Sequence, residues 1–356
     1  MNRWEFPFCP QPPDFVLKWD GLVERFDWLE AMSGCPQEPK FHAEGDVLAH
    51  VRMVCEALVS DTAWRKLESI ERSVMFAAAL MHDMAKPACT REDSGRITSP
   101  GHSRKGGQQA QAFLYRELEM PPPIRIRQEI VCLVQLHGLP LWLWDKPSPQ
   151  KSVIESSLRV RNDMLGILAA ADVEGRFCDD KQELRDRVRL FFEFCEENRC
   201  LTSSFSFPNN HSRFLYFHKG RDNPGYEAWD DTLCEVVMMC GLPGAGKDTW
   251  IKEQNLDLPV ISLDEIRRQL GIDPAENQGP VTAHAQETAR GLLRKKQGFI
   301  WNATNATRAV RRGLVTLFAA YGARVQIVYV ESQWPCLLAR NLARQNPVPV
   351  SVITKL

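Results

Sequence analysis

Residues 238–250 read M-M-C-G-L-P-G-A-G-K-D-T-W. The mostly apolar run Cys234–Cys240 leads into them, and a segment able to form a helix follows. A strand, a glycine loop and then a helix is the context that a phosphate-binding loop requires, and it commits this part of the chain to an α/β domain with a parallel sheet. Gly241, Gly244 and Gly246 let the backbone turn tightly and aim its N–H groups at phosphate oxygens. Lys247 adds a point charge for the β- and γ-phosphates, and the Gly-x4-Gly-Lys spacing fits a Walker A loop. Asp248 stands where Ser or Thr usually holds Mg²⁺, and Thr249 follows it. A glycine-rich hairpin turn is the competing reading, and the strand before and the lysine after argue against it. Gly241, Gly244, Ala245, Gly246, Lys247, Asp248 and Thr249 are therefore expected to bind ATP or another nucleoside triphosphate with Mg²⁺.

The loop lies two thirds of the way along 356 residues, a length that suggests two domains. With 44% hydrophobic and 25% charged residues, both read as globular. No apolar run reaches the ~18 residues of a membrane span, so no membrane association is expected. The proline-rich start with Asp14 and Asp20 is not a signal peptide. The 11 cysteines are scattered without a CxxC pair, which favours reduced thiols in a cytoplasmic setting over a disulfide frame or zinc ribbon. Residues 233–356 hold fifteen Lys/Arg against ten Asp/Glu, which leaves the rest acidic. That suits local contact with phosphates, with any nucleic acid held near an end, more than a surface that wraps it.

Residues 1–40 show little periodicity and read as an irregular lead-in with one helix around Leu22–Ala31. From Asp46, apolar residues at Val47, Val51, Val54 and Leu58 predict a helix, with His50 beside the stripe. A second apolar helix, around Met75–Pro87, carries His82 and Asp83 near its end. His102 precedes another helix, His137 sits late in the next, and Asp172 interrupts one more. One such residue among apolar neighbours is ordinary structure. One imidazole or carboxylate per apolar helix, repeated, asks for a charged partner such as a bound cation. Lys86, three residues past Asp83, is a candidate to neutralise a phosphate or assist a leaving group, or else a solvated helix-end lysine. Arg104 and Lys105 are weaker phosphate candidates. Trp142 and Trp144 could stack a base but more readily pack. His42, His211 and His218 read as structural or surface residues.

The order H…HD…H…H…D, with G-D-V-x-x-H, H-D-x-x-K-P, P-G-H and A-D-x-x-G-R, resembles the HD superfamily of metal-dependent phosphohydrolases. Over about Phe41–Arg176 the wording is similar to the HD domains attached to bacterial tRNA nucleotidyltransferases. The resemblance implies an all-α domain over 41–199. In it His50, His82, Asp83 and Asp172 bind one metal and His102 and His137 a second. Mn²⁺, Ni²⁺, Co²⁺, Mg²⁺ and Zn²⁺ all remain open, since mixed ligation does not choose among them. Residues 200–232, rich in Ser, Asn, Pro and aromatics, read as a packed aromatic linker whose R-F-L-Y-F suggests a short strand.

Beyond the loop, strands are expected at Val260–Leu263, Phe299–Trp301 and Arg324–Val330. Asp264 follows the first, where it could accept a hydroxyl proton or simply cap a helix. Arg267 comes one turn later. Asn302, Thr304 and Asn305 end the second strand. Arg340 and Arg344 lie four apart on one helical face, where without acidic partners they repel unless an anion lies between them. In the domain expected over 233–356, about Cys234–Ile353 resembles the kinase module of phage and bacterial polynucleotide 5′-kinases. The match rests on G-x-P-G-x-G-K, Asp264 with Arg267, Thr304-Asn305, and R-N-x-x-R at Arg340, Asn341 and Arg344. The resemblance implies that Asp264 is the general base. It implies too that Lys247, Arg340 and Arg344 hold the ATP phosphates and that Arg267, with Thr304 and Asn305, meets the acceptor. Asp248 departs from the pattern and would ligate Mg²⁺ directly or through water. Asn302 departs too, standing where a carboxylate is common. The chain ends soon after this lid, so a final element is expected to be very short or missing.

The two modules together resemble the bacterial bifunctional end-healing enzymes called HD-Pnk. The resemblance implies RNA or DNA ends as partners, with a separate ligase acting next. A nucleoside or sugar kinase joined to a nucleotide phosphohydrolase, or a non-catalytic nucleotide-binding module, are the alternatives.

Overall fold

The computed structural model describes residues 4–273, 276–344 and 346–355. The chain divides into two units, residues 1–206 and 207–356.

The first unit is helical. Its first long helix, α1 (Val47–Ser60), starts where Asp46 accepts the Ala49 N–H at 2.8 Å, a side-chain cap that satisfies a donor the helix leaves open. The other Asp46 oxygen accepts from the Gly34 N–H at 2.7 Å. Val47, Val51, Val54 and Leu58 are all fully buried, each contributing about 1.5–3 kcal/mol relative to exposure. Helix α2 (Ser69–Met81) opens with a capping box of Glu68 and Glu71 and is buried at every residue from Ser73 to Met81. A helix apolar all round belongs at the centre. It packs against α1, α4 (Ile124–Leu136) and α5 (Asn162–Glu174). Helix α3 (His102–Arg116) lies on α4, and α6 (Lys181–Glu197) covers α5.

Three expectations change here. The unit is not purely helical, because Arg91–Asp93 and Arg96–Thr98 form an antiparallel hairpin. Its turn residues Ser94 and Gly95 both have positive φ, the backbone that two-residue hairpins favour. The lead-in expected over 1–40 is, in its described residues 4–40, part of the core. Phe6, Leu22, Phe26, Leu29 and Met32 lie in the main core, with the Phe26 ring 5.6 Å from Phe6 and 5.5 Å from Phe113. Their helical part is two short helices, Trp19–Arg25 and Asp27–Glu30. Aromatic side chains reach a core from irregular backbone, so periodicity does not reveal them. Residues 200–232 are divided as well. Cys200 is buried in the first core, while Asn210–His218 is a helix of the second unit, not a strand. The Asn209 side chain caps it by accepting the Ser212 N–H at 2.7 Å.

The second unit is built on a parallel sheet of four strands. These are β1 (Cys234–Cys240), β2 (Val260–Ser262), β3 (Phe299–Asn302) and β4 (Ala323–Tyr329), in the order β2-β3-β1-β4. β1 is central, pairing Val237 with Ile300 on one side and Gln326 on the other. Val236 and Met238 face α9 (Gly279–Arg294) and α10 (Arg308–Ala319). Val237 and Met239 face Trp250 and Ile251 of α7 (Lys247–Gln254). Covered on both faces, β1 is apolar and buried throughout Val236–Cys240, as strands of buried parallel sheets are. Helix α8 (Leu263–Leu270) follows β2 directly, with Ser262 as its cap, and α11 (Trp334–Leu342) follows β4.

The glycine loop leaves the C-terminal end of β1. Gly241 has φ +146°, and a Cβ there would stand 2.3 Å from the Val330 carbonyl oxygen. The substitution Gly241→Ala is therefore expected to cost about 2–3 kcal/mol through strain and displacement of that carbonyl. A lower urea midpoint together with loss of ATP binding would show it.

Candidate functional sites

Six residues that the sequence spreads over five helices or their ends meet in the first unit. His50 Nε2 lies 3.2 Å from Asp172 Oδ1, 3.4 Å from His82 Nε2 and 3.8 Å from Asp83 Oδ2. His82 Nε2 is 3.2 Å from Asp83 Oδ2, and His102 Nε2 is 3.4 Å from Asp83 Oδ1. His137 completes a group with Asp83 and His102. Every imidazole is turned the same way. The Nδ1 atoms of His82, His102 and His137 lie 2.7, 2.7 and 2.8 Å from the carbonyls of Ala79, Ser99 and Val134. A carbonyl can only accept, so each Nδ1 carries the proton and each Nε2 is left as a donor atom for a cation. Five of the six side chains are buried, and His102 is the partly exposed one.

The donor set fits a divalent ion. Ligands about 2.0–2.2 Å from a tetrahedral ion stand roughly 3.3–3.6 Å apart, close to the 3.2–3.8 Å separations among His50, His82 and Asp83, and Asp172 adds a carboxylate oxygen 3.2 Å from His50. Asp83 Oδ1 is buried without a hydrogen-bond partner, a costly condition that a cation would relieve. The mixed imidazole and carboxylate set does not choose among divalent ions.

Fixed charges surround the cluster. Lys86 Nζ sits 2.7 Å from Asp83 Oδ2 and 2.6 Å from Gln37 Oε1, so it is a buried partner of Asp83 and not a solvated lysine. Arg176 binds Asp172 through Nε at 3.0 Å and Nη2 at 2.5 Å. Burial opposes the charged forms of Asp83 and Asp172, but Lys86 and His82 around the first, and Arg176 and His50 around the second, hold both well below the usual carboxylate range. Burial also works against a charged His82, and Asp83 outweighs it and raises that pKa. His137 is pulled down to about 4 by burial and by His82.

Two residues that sequence reasoning passed over join this site. Glu44 Oε1 accepts from His42 Nδ1 at 2.7 Å and from His50 Nδ1 at 2.9 Å. Its other oxygen accepts from the Phe177 N–H at 2.9 Å. Glu44 thus turns the His50 ring towards Asp172, as carboxylates behind metal-binding histidines do. Burial pulls His42 down to about 4, so it faces Glu44 as a neutral ring. The only signal was H-A-E just before Asp46, on irregular chain where no periodicity marks it. Glu44→Gln is expected to weaken binding of Zn²⁺, Mn²⁺ or Ni²⁺ about 10–100-fold, measurable by calorimetric titration. Arg104 is exposed, and Lys105 bonds the Ala88 carbonyl. Trp142 lies under the Arg187 guanidinium and Trp144 against Phe194, both half exposed.

In the second unit the loop residues surround a cavity of about 410 Å³, lined among others by Gly244, Gly246, Lys247, Asp248, Thr249 and Thr304. A cleft of about 800 Å³ adjoins it. Asp248, Ser262, Asp264, Arg267, Asn302 and Arg344 line both. Lys247 Nζ bonds the Gly241 and Leu242 carbonyls at 2.9 and 3.1 Å, and burial lowers its pKa. The oxygen donors here, Asp248, Thr249, Ser262 and Asn302, have the hard chemistry of a Mg²⁺ site.

Asp264 is held from two sides, by Arg267 Nη1 at 2.5 Å and Arg344 Nη2 at 2.7 Å. Burial would raise its pKa, but these two hydrogen bonds outweigh it and lower it. Helix α11 ends at Leu342, so Arg344 lies past its end and does not share a helical face with Arg340; there it has an acidic partner eighty positions away in sequence. Arg340 lines the cavity beside Gly246. Asn305 does not line it: its side chain is buried and donates to the Met239 carbonyl at 2.8 Å. With the Gly241 N–H bonded to the Thr304 carbonyl at 3.0 Å, this brace fixes the loop to β3. Asn305 is structural here, not a substrate contact.

Among the described residues no helix is long and apolar enough to cross a membrane. Residues 236–355 match the family model AAA_33, described as "AAA domain". The second unit accordingly has a P-loop kinase-like fold on a parallel sheet. A solved structure, "Structure of Pnkp1/Rnl/Hen1 complex", is similar at 17% identity and a TM-score of 0.27, over 36% of this chain and 40% of that one. The chain thus spans less than half of that relative, and a likeness this faint carries no argument about fold or function.

Proposed function

We propose that this chain heals nucleic-acid ends at two separate sites. The C-terminal unit phosphorylates a 5′-hydroxyl with ATP. The helical unit is an HD-type phosphohydrolase that removes a 2′,3′-cyclic phosphate, or a 2′- or 3′-phosphate. The products, a 5′-phosphate and a 3′-hydroxyl, are what a ligase consumes.

The observation that carries the kinase half is the place of Asp264, on the wall shared by the loop cavity and the cleft beside it. A carboxylate there can take a proton from a hydroxyl entering through the cleft while facing phosphates seated in the cavity. Lys247 leaves the loop carbonyls for the β- and γ-phosphates. Arg340 and Arg344 neutralise charge that spreads over the transferring group. The acceptor oxygen bonds to the γ-phosphorus as its proton passes to Asp264. The bond to the β,γ-bridging oxygen breaks, and ADP leaves. Arg267 holds a phosphate of the acceptor strand, and Thr304 lines the cavity beside it. A magnesium ion on the triphosphate supplies further positive charge there.

In the helical unit, His50, His82, Asp83 and Asp172 would hold one divalent ion and His102 and His137, with Asp83, a second. When bound, such ions acidify a water and neutralise phosphoryl oxygens. Lys86 and Arg176 orient the two carboxylates, which moves Lys86 away from the leaving group. The partly exposed edge at His102 is the side from which substrate enters.

The test uses a short RNA with a 5′-hydroxyl and a 2′,3′-cyclic phosphate, incubated with ATP and, separately, Mg²⁺, Mn²⁺ or Ni²⁺. Mass spectrometry then reads both ends. Gain of a 5′-phosphate with loss of the 3′-end phosphate is expected. No change at either end under every metal, with turnover of free nucleosides instead, would replace this reading by a small-molecule kinase.

A further inference from the structure

Asp248 and Asn302 meet on the wall of the loop cavity. The Asn302 amide donates to Asp248 Oδ1 at 2.6 Å, and both side chains line cavity and cleft. Asn302 is the buried last residue of β3. Asp248 lies exposed in the first turn of α7. P-loop enzymes ordinarily place a neutral hydroxyl after the lysine and an acid at a strand end, and the two together hold Mg²⁺. Here the two chemistries have changed places. One acid and one neutral oxygen-bearing side chain remain, so the pair keeps a single negative charge.

We infer that Asp248 takes the nucleotide's magnesium directly through its carboxylate, and that Asn302 is a positioning residue that aims it. This rests on the kinase reading above. The amide hydrogen bond occupies one carboxylate oxygen and leaves the other for a cation. Asn302 comes from a buried strand end, so the orientation is set before nucleotide arrives. The sign of the effect follows from Coulomb's law. A carboxylate beside the loop repels a bare triphosphate, and attraction replaces repulsion once a divalent ion lies between them. A hydroxyl at this position, with Asn302 unchanged, would leave the pair uncharged and give no such contrast. The loop therefore discriminates for the magnesium complex and against metal-free ATP.

Calorimetry on the full chain, with ATP in Mg²⁺ and with ATP in a chelator, tests this. The ratio of the two affinities is the readout. Asp248→Asn is expected to shrink that ratio about tenfold or more, weakening MgATP and strengthening metal-free ATP. Asn302→Ala should shrink it less, through loss of aim. The exchange variant, Asp248→Ser with Asn302→Asp, should restore the ratio. Asp248 is exposed, so its single variants keep the fold, and a thermal melt verifies it. An unchanged ratio in folded Asp248→Asn overturns this inference alone. A wild-type chain that binds ATP in neither form overturns the kinase reading with it.

Discussion

Asp264→Asn is expected to lower the rate of 5′-phosphorylation by about 10²–10⁴-fold, equivalent to roughly 3–5 kcal/mol of barrier. The asparagine keeps the size of the side chain and an oxygen for Arg267 or Arg344, so the cleft survives and the proton acceptor does not. ATP binding should change little, because the phosphates rest on Lys247 and the loop. Lys247→Ala is the contrasting case and should lose activity together with ATP affinity. Single-turnover phosphorylation of a 5′-hydroxyl oligonucleotide measures both. A loss below tenfold in Asp264→Asn would remove it from the chemistry. Hydrolysis of the 2′,3′-cyclic phosphate should be unaffected in either variant.

The opposite pattern is expected from Asp83→Asn. This carboxylate lies between the two halves of the histidine cluster, with one oxygen towards His50 and His82 and the other towards His102. Without its charge the cluster should retain no transition metal through gel filtration, and hydrolysis should fall to background while kinase activity persists. The substitution also leaves Lys86 without its anionic partner, and breaking a buried pair typically costs about 3–5 kcal/mol. His82→Ala separates the two effects, since it removes a ligand and spares the Asp83–Lys86 pair. Metal analysis with a thermal melt reads both. Hydrolysis that persists in a metal-free Asp83→Asn protein would dismiss the cluster as the site. Loss of both activities in a folded variant would refute two independent centres.

Much of this arrangement could be read from the chain, for physical reasons that also mark where reading stops. A titratable residue in an apolar helix is costly once buried, so His50, His82, Asp83, His137 and Asp172, each ordinary alone, are conspicuous by their repetition from helix to helix. Their helices then brought them together. Glu44 carries no such mark, since an acid on irregular chain is ordinary until a histidine is found behind it. The parallel sheet was legible because β1 is apolar on both faces. The pairing of Asp264 with Arg344 was not, because no local pattern relates residues eighty apart. Asn305 misled for a related reason. Its motif neighbours face the cavity, and only the fold shows its amide spent on the Met239 carbonyl. The helix Asn210–His218 was hidden by a run of adjacent aromatics, and its cap, Asn209, was the better guide.

The contacts around Asp46 bear on how the molecule can be cut. Its carboxylate joins the start of α1 to Gly34, and its own carbonyl accepts the Gln37 amide at 3.3 Å. Gln37 in turn holds Lys86. A fragment trimmed to residue 41, where the recognisable motifs begin, would keep every proposed ligand and lose the strap behind them. It would also open the core that Phe6, Leu22 and Phe26 close. The smallest autonomous version of the histidine centre therefore starts well upstream of its first histidine.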